Sequence, residues 1–89
     1  MAKVIKLYAR REVLRWLRGG LGFSQGEFAT LISLKREEEI TEALYQKIEQ
    51  GVRGVDIKTA KIICLVTDTR INELFYFKEN SKIRFGNQL

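Results

Sequence analysis

The spacing of apolar residues divides this chain into short helices with strand-like ends. Val13, Leu14, Trp16 and Leu17 fall at helical spacing among the basic residues of Arg10 to Arg18 and predict a first helix, which the glycines at 19, 20 and 22 stop. Ser24 with Glu27 three residues on has the pattern of a capping box, and it opens a second helix whose apolar face is Phe28, Leu31 and Ile32. The charged stretch Lys35 to Glu39 interrupts the pattern. Thr41 is the N-cap of a third helix, with Tyr45 and Ile48 inward, Leu44 at the border and Gly51 at its end. Asp56 caps a fourth helix over Ile57 to Val66, and a short fifth runs from about Arg70 to Leu74. Ala2 to Tyr8, Phe75 to Lys78 and Lys82 to Phe85 are β-branched and aromatic enough for strands. Glu79, Asn80 and Ser81 suit a hairpin loop between the last two, and the N-terminal strand can join them. The predicted fold is therefore mainly α, with five helices and a small sheet from the N- and C-terminal segments.

At 89 residues the chain makes a single domain, 1–89, with a core at about 10–75. Trp16, Phe23, Phe28 and Tyr45 are expected in that core, and Cys64, inside the apolar run Ile62 to Val66, is expected as a small buried hydrophobe. One cysteine forms no intramolecular disulfide, which fits a reducing cytosol. The chain opens without an apolar run and a small-residue cleavage site, and its longest apolar run is far below the roughly 20 residues that span a bilayer. A cytoplasmic protein without a membrane partner is the expectation. Charge sharpens this picture. The net +5 lies entirely in the first twenty residues, where Lys3, Lys6, Arg10, Arg11, Arg15 and Arg18 face Glu12 alone. Such a patch attracts phosphate polyanions.

The segment Leu17 to Phe75 resembles the phage-repressor and Cro family of helix-turn-helix proteins, often called XRE-type. The likeness rests on Leu17-Arg18, Gly22-Phe23-Ser24-Gln25 and Phe28-Ala29, then Ile40-Thr41 and Ile48-Glu49-Gln50-Gly51, then Arg53, Asp56-Ile57 and Ile71 to Phe75, all in order. Two departures stand out. The stretch from Ser24 to Gly51 exceeds the commonest family pattern by more than a helical turn, with the surplus at Leu34 to Glu39, so either the turn is enlarged or the second helix runs on. Val55 stands where the family often has proline.

The resemblance implies a repressor-like, sequence-specific regulator that lays its third helix, about 41–50, in the major groove of double-stranded DNA. Base edges there show distinct donors and acceptors. Glu42, Ala43 and Lys47 fall at base-reading positions of the family. By chemistry, Lys47 suits guanine O6 or N7, Glu42 cytosine N4, Ala43 a thymine methyl and Gln46 adenine. Gln25, Thr41, Gln50, Arg53, Lys58 and Arg15 are the expected phosphate contacts, with Arg10 and Arg11 as further candidates on the first helix. Arg18 and Glu49 match positions that commonly form an ion pair between the first and third helices.

Nothing in the sequence suggests catalysis. There is no histidine, the commonest general base and metal ligand, and one cysteine cannot build a thiolate zinc site. No glycine-rich phosphate loop ends in Lys-Ser or Lys-Thr, and no cofactor, metal or small-molecule site is expected. A different function on the same fold would be a protein-binding regulator such as an antirepressor or an antitoxin. A homodimer is expected, because Ile57, Ala60, Ile63, Cys64 and Val66 can line the core face of the fourth helix while Ile62 and Leu65 remain apolar outside it.

Overall fold

The computed structural model of the chain describes residues 6–77. Its elements run β1 (Leu7–Ala9), α1 (Arg11–Leu21), α2 (Gln25–Arg36), α3 (Glu42–Gln50), α4 (Ile57–Thr67), α5 (Ile71–Leu74) and β2 (Phe75–Phe77). The fold is mainly helical, with one small antiparallel sheet made from the two ends of the chain.

Local chemistry starts the three central helices. Ser24 Oγ accepts from the Glu27 N–H at 3.1 Å while Glu27 Oε1 accepts from the Ser24 N–H at 2.9 Å, so the capping box of α2 is closed in both directions. Thr41 Oγ1 accepts from the Leu44 N–H at 3.1 Å and Asp56 Oδ1 from the Thr59 N–H at 3.0 Å, capping α3 and α4. Helix α3 stops where Gly51 turns left-handed at φ 80°, and a Cβ there would lie 3.1 Å from the Ala9 carbonyl oxygen, so both conformation and space require glycine.

The core gathers Leu14, Phe28, Ile32, Tyr45, Ile63 and Leu74, all fully buried, with the Phe28 ring edge-on to Tyr45 at 5.3 Å. The sheet closes one end. Its register is Leu7↔Phe77, Tyr8↔Tyr76 and Ala9↔Phe75, which turns Leu7, Ala9 and Phe75 inward. On its other face Tyr8 and Tyr76 lie 6.3 Å apart, and the Arg10 guanidinium sits 5.4 Å over the Tyr76 ring. Val55 bridges to the opposite side of β1: its N–H donates to the Leu7 carbonyl at 2.9 Å and its carbonyl accepts from the Leu7 N–H at 2.8 Å.

Several expectations change. Helix α1 does not stop at the first glycines but runs through Gly19 and Gly20 to a left-handed cap at Gly22. Helix α2 continues through Lys35 and Arg36, and the surplus residues divide between this added turn of helix and a loop from Glu37 to Thr41. Trp16 is not core: it is 76% exposed, because α1 buries the stripe centred on Leu14 and a residue two positions on points about 200° away. Ile57 is also exposed, since α4 buries Thr59, Ala60, Ile63, Cys64 and Thr67, and Ile57 lies about a quarter-turn from the middle of that stripe. Ile62 packs against the core rather than standing outside it, which leaves Leu65 as the large outward residue of α4. Among the described residues the first strand is Leu7–Ala9, running one residue beyond the expected end at Tyr8 and leaving Lys6 outside it, and its partner is Phe75–Phe77. Residues 1–5, Lys78, the loop at 79–81 and the strand expected at 82–85 lie outside the described residues. Among the described residues no helix is long and apolar enough to cross a membrane.

Candidate nucleic-acid interface

Helix α3 is held by one buried polar cluster. Glu49 is 3% exposed. Its carboxylate accepts a forked pair of bonds from Arg18, Nε to Oε1 at 2.7 Å and Nη2 to Oε2 at 3.0 Å. The Tyr45 hydroxyl donates to Oε1 at 2.7 Å and the Gln25 amide to Oε2 at 3.2 Å. Arg18 also donates through Nη1 to the Phe23 carbonyl at 2.7 Å. One carboxylate thus ties α1, α2 and α3 together, and the pair expected from the sequence is formed. Burial by itself would raise the Glu49 pKa, but the hydrogen bonds from Arg18 and Tyr45, the Arg18 charge and the Gln25 amide outweigh it and hold the group below the ordinary carboxylate range. Burial, followed by the hydrogen bond to the Glu49 carboxylate and its charge, pushes the Tyr45 phenol well above its usual value, so it stays a donor. The hydrogen bond to Glu49 likewise raises Arg18.

With Tyr45, Ile48 and Glu49 turned inward, α3 presents Glu42, Ala43, Lys47 and Gln50 to solvent, with Gln46 half-buried between the two faces. The Glu42 carboxylate folds back over the first turn of α2, where its Oε1 lies 2.9 Å from the place a Cβ on Gly26 would take. The absence of that Cβ gives Glu42 its room, and the helix dipole at the start of α2 favours the charge there. Glu42 is therefore directed toward α2, while Ala43 and Lys47 face outward on the first two turns of α3.

Five of the predicted residues meet in one place. Arg15, Arg18, Gln25, Glu49 and Gln50, joined by Arg11, line a cleft of about 270 Å³ between α1 and the C-terminal end of α3. Gln25 is partly occupied there by Glu49, so one amide N–H of the two remains for another acceptor. Thr41 is exposed at the other end of α3, where its oxygen serves the helix cap. Arg53 is exposed in the loop after α3 and borders a separate cleft with Lys6, Glu38 and Asp56. Lys58 is exposed on the first turn of α4 and lines neither cleft.

Tyr45 and Arg36 were not singled out from the sequence for the parts they take, whereas Arg11 is one of its further phosphate candidates. Tyr45 reads as core, and its hydroxyl on Glu49 follows from their i, i+4 spacing only once both are known to turn inward. Arg11 shares the face of Arg15 and Arg18 at helical spacing, a signal present in the sequence. Arg36 anchors the enlarged turn: it bonds Glu38, the α4 cap Asp56 at 2.8 Å, and the Thr59 hydroxyl. Hydrogen bonds from the Thr59 side chain and backbone, with the Arg36 charge, hold Asp56 below its usual pKa against the effect of burial. Ser33 fastens the same turn from within α2, its Oγ accepting from the Ile40 N–H at 2.8 Å. Among the described residues no cluster of His, Cys, Asp or Glu could hold a metal ion. Searches against models of protein families, curated proteins and solved structures find no match to this chain.

Proposed function

We propose that this protein is a sequence-specific regulator of transcription, repressor-like, that binds duplex DNA by laying α3 in the major groove. One observation supports this reading above the rest: a nine-residue helix shows Ala43 and Lys47 to solvent while its opposite face is locked by the buried Arg18–Glu49–Tyr45 cluster. A reading helix must hold its angle against the backbone-contacting helix beside it, and a forked, desolvated ion pair sets such an angle. In this reading Lys47 donates to guanine and Ala43 touches a thymine methyl, with Gln46 and Glu42 able to reach the groove if their side chains swing outward. Gln25, Thr41, Gln50, Arg53, Lys58 and Arg15 hold phosphates. The protein works in the cytoplasm as a homodimer, without a cofactor.

Retention on random duplex DNA at low and moderate salt tests this directly. Binding that weakens as salt rises is expected. No retention at low salt would instead favour a protein-binding regulator, a reading to which the 76% exposed Trp16 and 77% exposed Leu65 give some support. Recovery of genomic fragments by the purified protein would then define the operator.

A further inference from the structure

Helix α1 carries three arginines on the side that faces α3, and they are not equivalent. Arg18 is committed to Glu49 and to the Phe23 carbonyl. Arg11 and Arg15 are exposed and form no ion pair among the described residues. They stand one helical turn apart, with about 5–6 Å between Cβ atoms at this spacing, and like charges so placed weaken a helix. The Glu49 carboxylate in the same cleft is already matched by Arg18 and two further donors, so the residues lining the cleft carry two positive charges in excess, with Glu12 the neighbouring carboxylate on the outer side of Arg15. Gln50 borders them from the last turn of α3 with its amide.

We propose that Arg11 and Arg15, with Gln50, form a seat for one backbone phosphate of the duplex that α3 enters, an inference that rests on the DNA-binding reading. Two guanidinium forks closing on a tetrahedral oxyanion, with an amide donor completing the set, suit a phosphodiester. The seat lies between the first and third helices, so a strand held there is gripped beside the reading helix rather than at its tip. Its contribution is independent of base sequence.

The experiment is the salt dependence of duplex binding for the full chain. Removing one neutralised phosphate lowers the slope of log K against log salt by about 0.9. The double variant Arg11→Ala/Arg15→Ala is expected to show that loss. Between 50 and 200 mM salt it should lose about 3-fold less affinity than the wild type does, with base preference unchanged. Arg11→Lys/Arg15→Lys should restore the slope, and Lys61→Ala, which removes an exposed charge of α4 outside the cleft, should leave it alone. Both arginines are exposed, and thermal melts of the variants verify that the fold is intact. If the wild type binds DNA and the double variant keeps its slope, or Lys61→Ala lowers it equally, the seat is wrong while the DNA-binding reading stands. A wild type that binds no duplex at low salt removes the reading itself, and the seat with it.

Discussion

Glu49 accepts four hydrogen bonds from three side chains, and its chemistry makes two predictions. Removing one member of a buried, forked ion pair leaves the other charge without compensation, which costs about 3–5 kcal/mol. Arg18→Ala is therefore expected to destabilise the fold by about that amount at neutral pH. Because Glu49 titrates below the ordinary carboxylate value in the folded chain, its contribution is present above about pH 4.3, the unperturbed Glu value, and is lost as pH falls through the lowered folded value. Urea denaturation across a pH series should show the wild type and Arg18→Ala converging on the acid side; a gap that stays constant with pH would reject Glu49 as the cause. Tyr45→Phe should cost about 1.5–3 kcal/mol, the range for a hydrogen bond to a charged group. The raised phenol adds a signature at the alkaline end. Its stabilisation is full below the ordinary tyrosine value near 10 and declines as pH rises above it, and the phenylalanine variant should lack that decline. On the proposed reading surface, Lys47→Ala should relax preference at one base pair by about 1–3 kcal/mol, and Arg53→Ala should weaken all sequences alike. Quantitative binding to a panel of single-base operator variants separates the two. An unchanged preference in Lys47→Ala would remove α3 as the reader.

At the scale of elements, the caps of α2, α3 and α4 and the stop of α3 at Gly51 are legible, while the exact ends of α1 and α2 are not. Ser24–Glu27, Thr41 and Asp56 start α2, α3 and α4 as the sequence predicts, since a cap depends only on residues three apart. Gly19 and Gly20 misled because glycine weakens a helix without forbidding it, and packing by Leu14, Val13 and Leu17 carries α1 through them. Neither glycine has a positive φ, and a Cβ on either would meet nothing within 4 Å. Gly20→Ala should consequently stabilise the protein by up to about 1 kcal/mol, read as a higher melting temperature. A loss of stability would mean that the surface above Gly20 is occupied. The turn from Glu37 to Thr41 was expected to be either enlarged or replaced by more helix. It is both, because Arg36 in the last turn of α2 reaches Asp56 and fixes where the helix ends. Position 55 is unsuited to a proline: the Val55 N–H donates to the Leu7 carbonyl, and proline has no N–H to give.

The whole molecule leaves apolar surface uncovered by the described residues. Leu65 on the outer side of α4 is 77% exposed, Ile57 at its start 54%, and Phe77 at the end of β2 63%. A small domain hides such a surplus more readily against a second copy than in its own core. The proposed DNA binding points the same way, because two copies of α3 that meet successive major grooves on one side of the duplex must lie about 34 Å apart. Sedimentation at micromolar concentration without DNA should therefore show a species of twice the 10.4 kDa chain mass, and Leu65→Glu should shift it toward the monomer. A single species at the chain mass that persists as concentration is raised would refute a stable dimer and leave assembly on DNA.

The sequence by itself determined the starts of α2, α3 and α4, the inward placing of Phe28, Tyr45 and Ile48, and the strand character of Leu7–Tyr8 and Phe75–Phe77. Each of these follows from residues a few positions apart, from periodicity or from β-propensity. It did not determine which side of α1 is buried. Trp16 is the largest apolar side chain on that helix, yet it is exposed while Leu14 is buried in the core and Arg18 turns to Glu49 of α3. That choice depends on residues 31 positions apart, so no local pattern contains it. The resemblance implies the Arg18–Glu49 pair, but only the tertiary structure leaves Arg11 and Arg15 without an ion pair among the described residues. One carboxylate placed between three helices accepts one guanidinium fork, and the geometry of their packing selects which arginine supplies it.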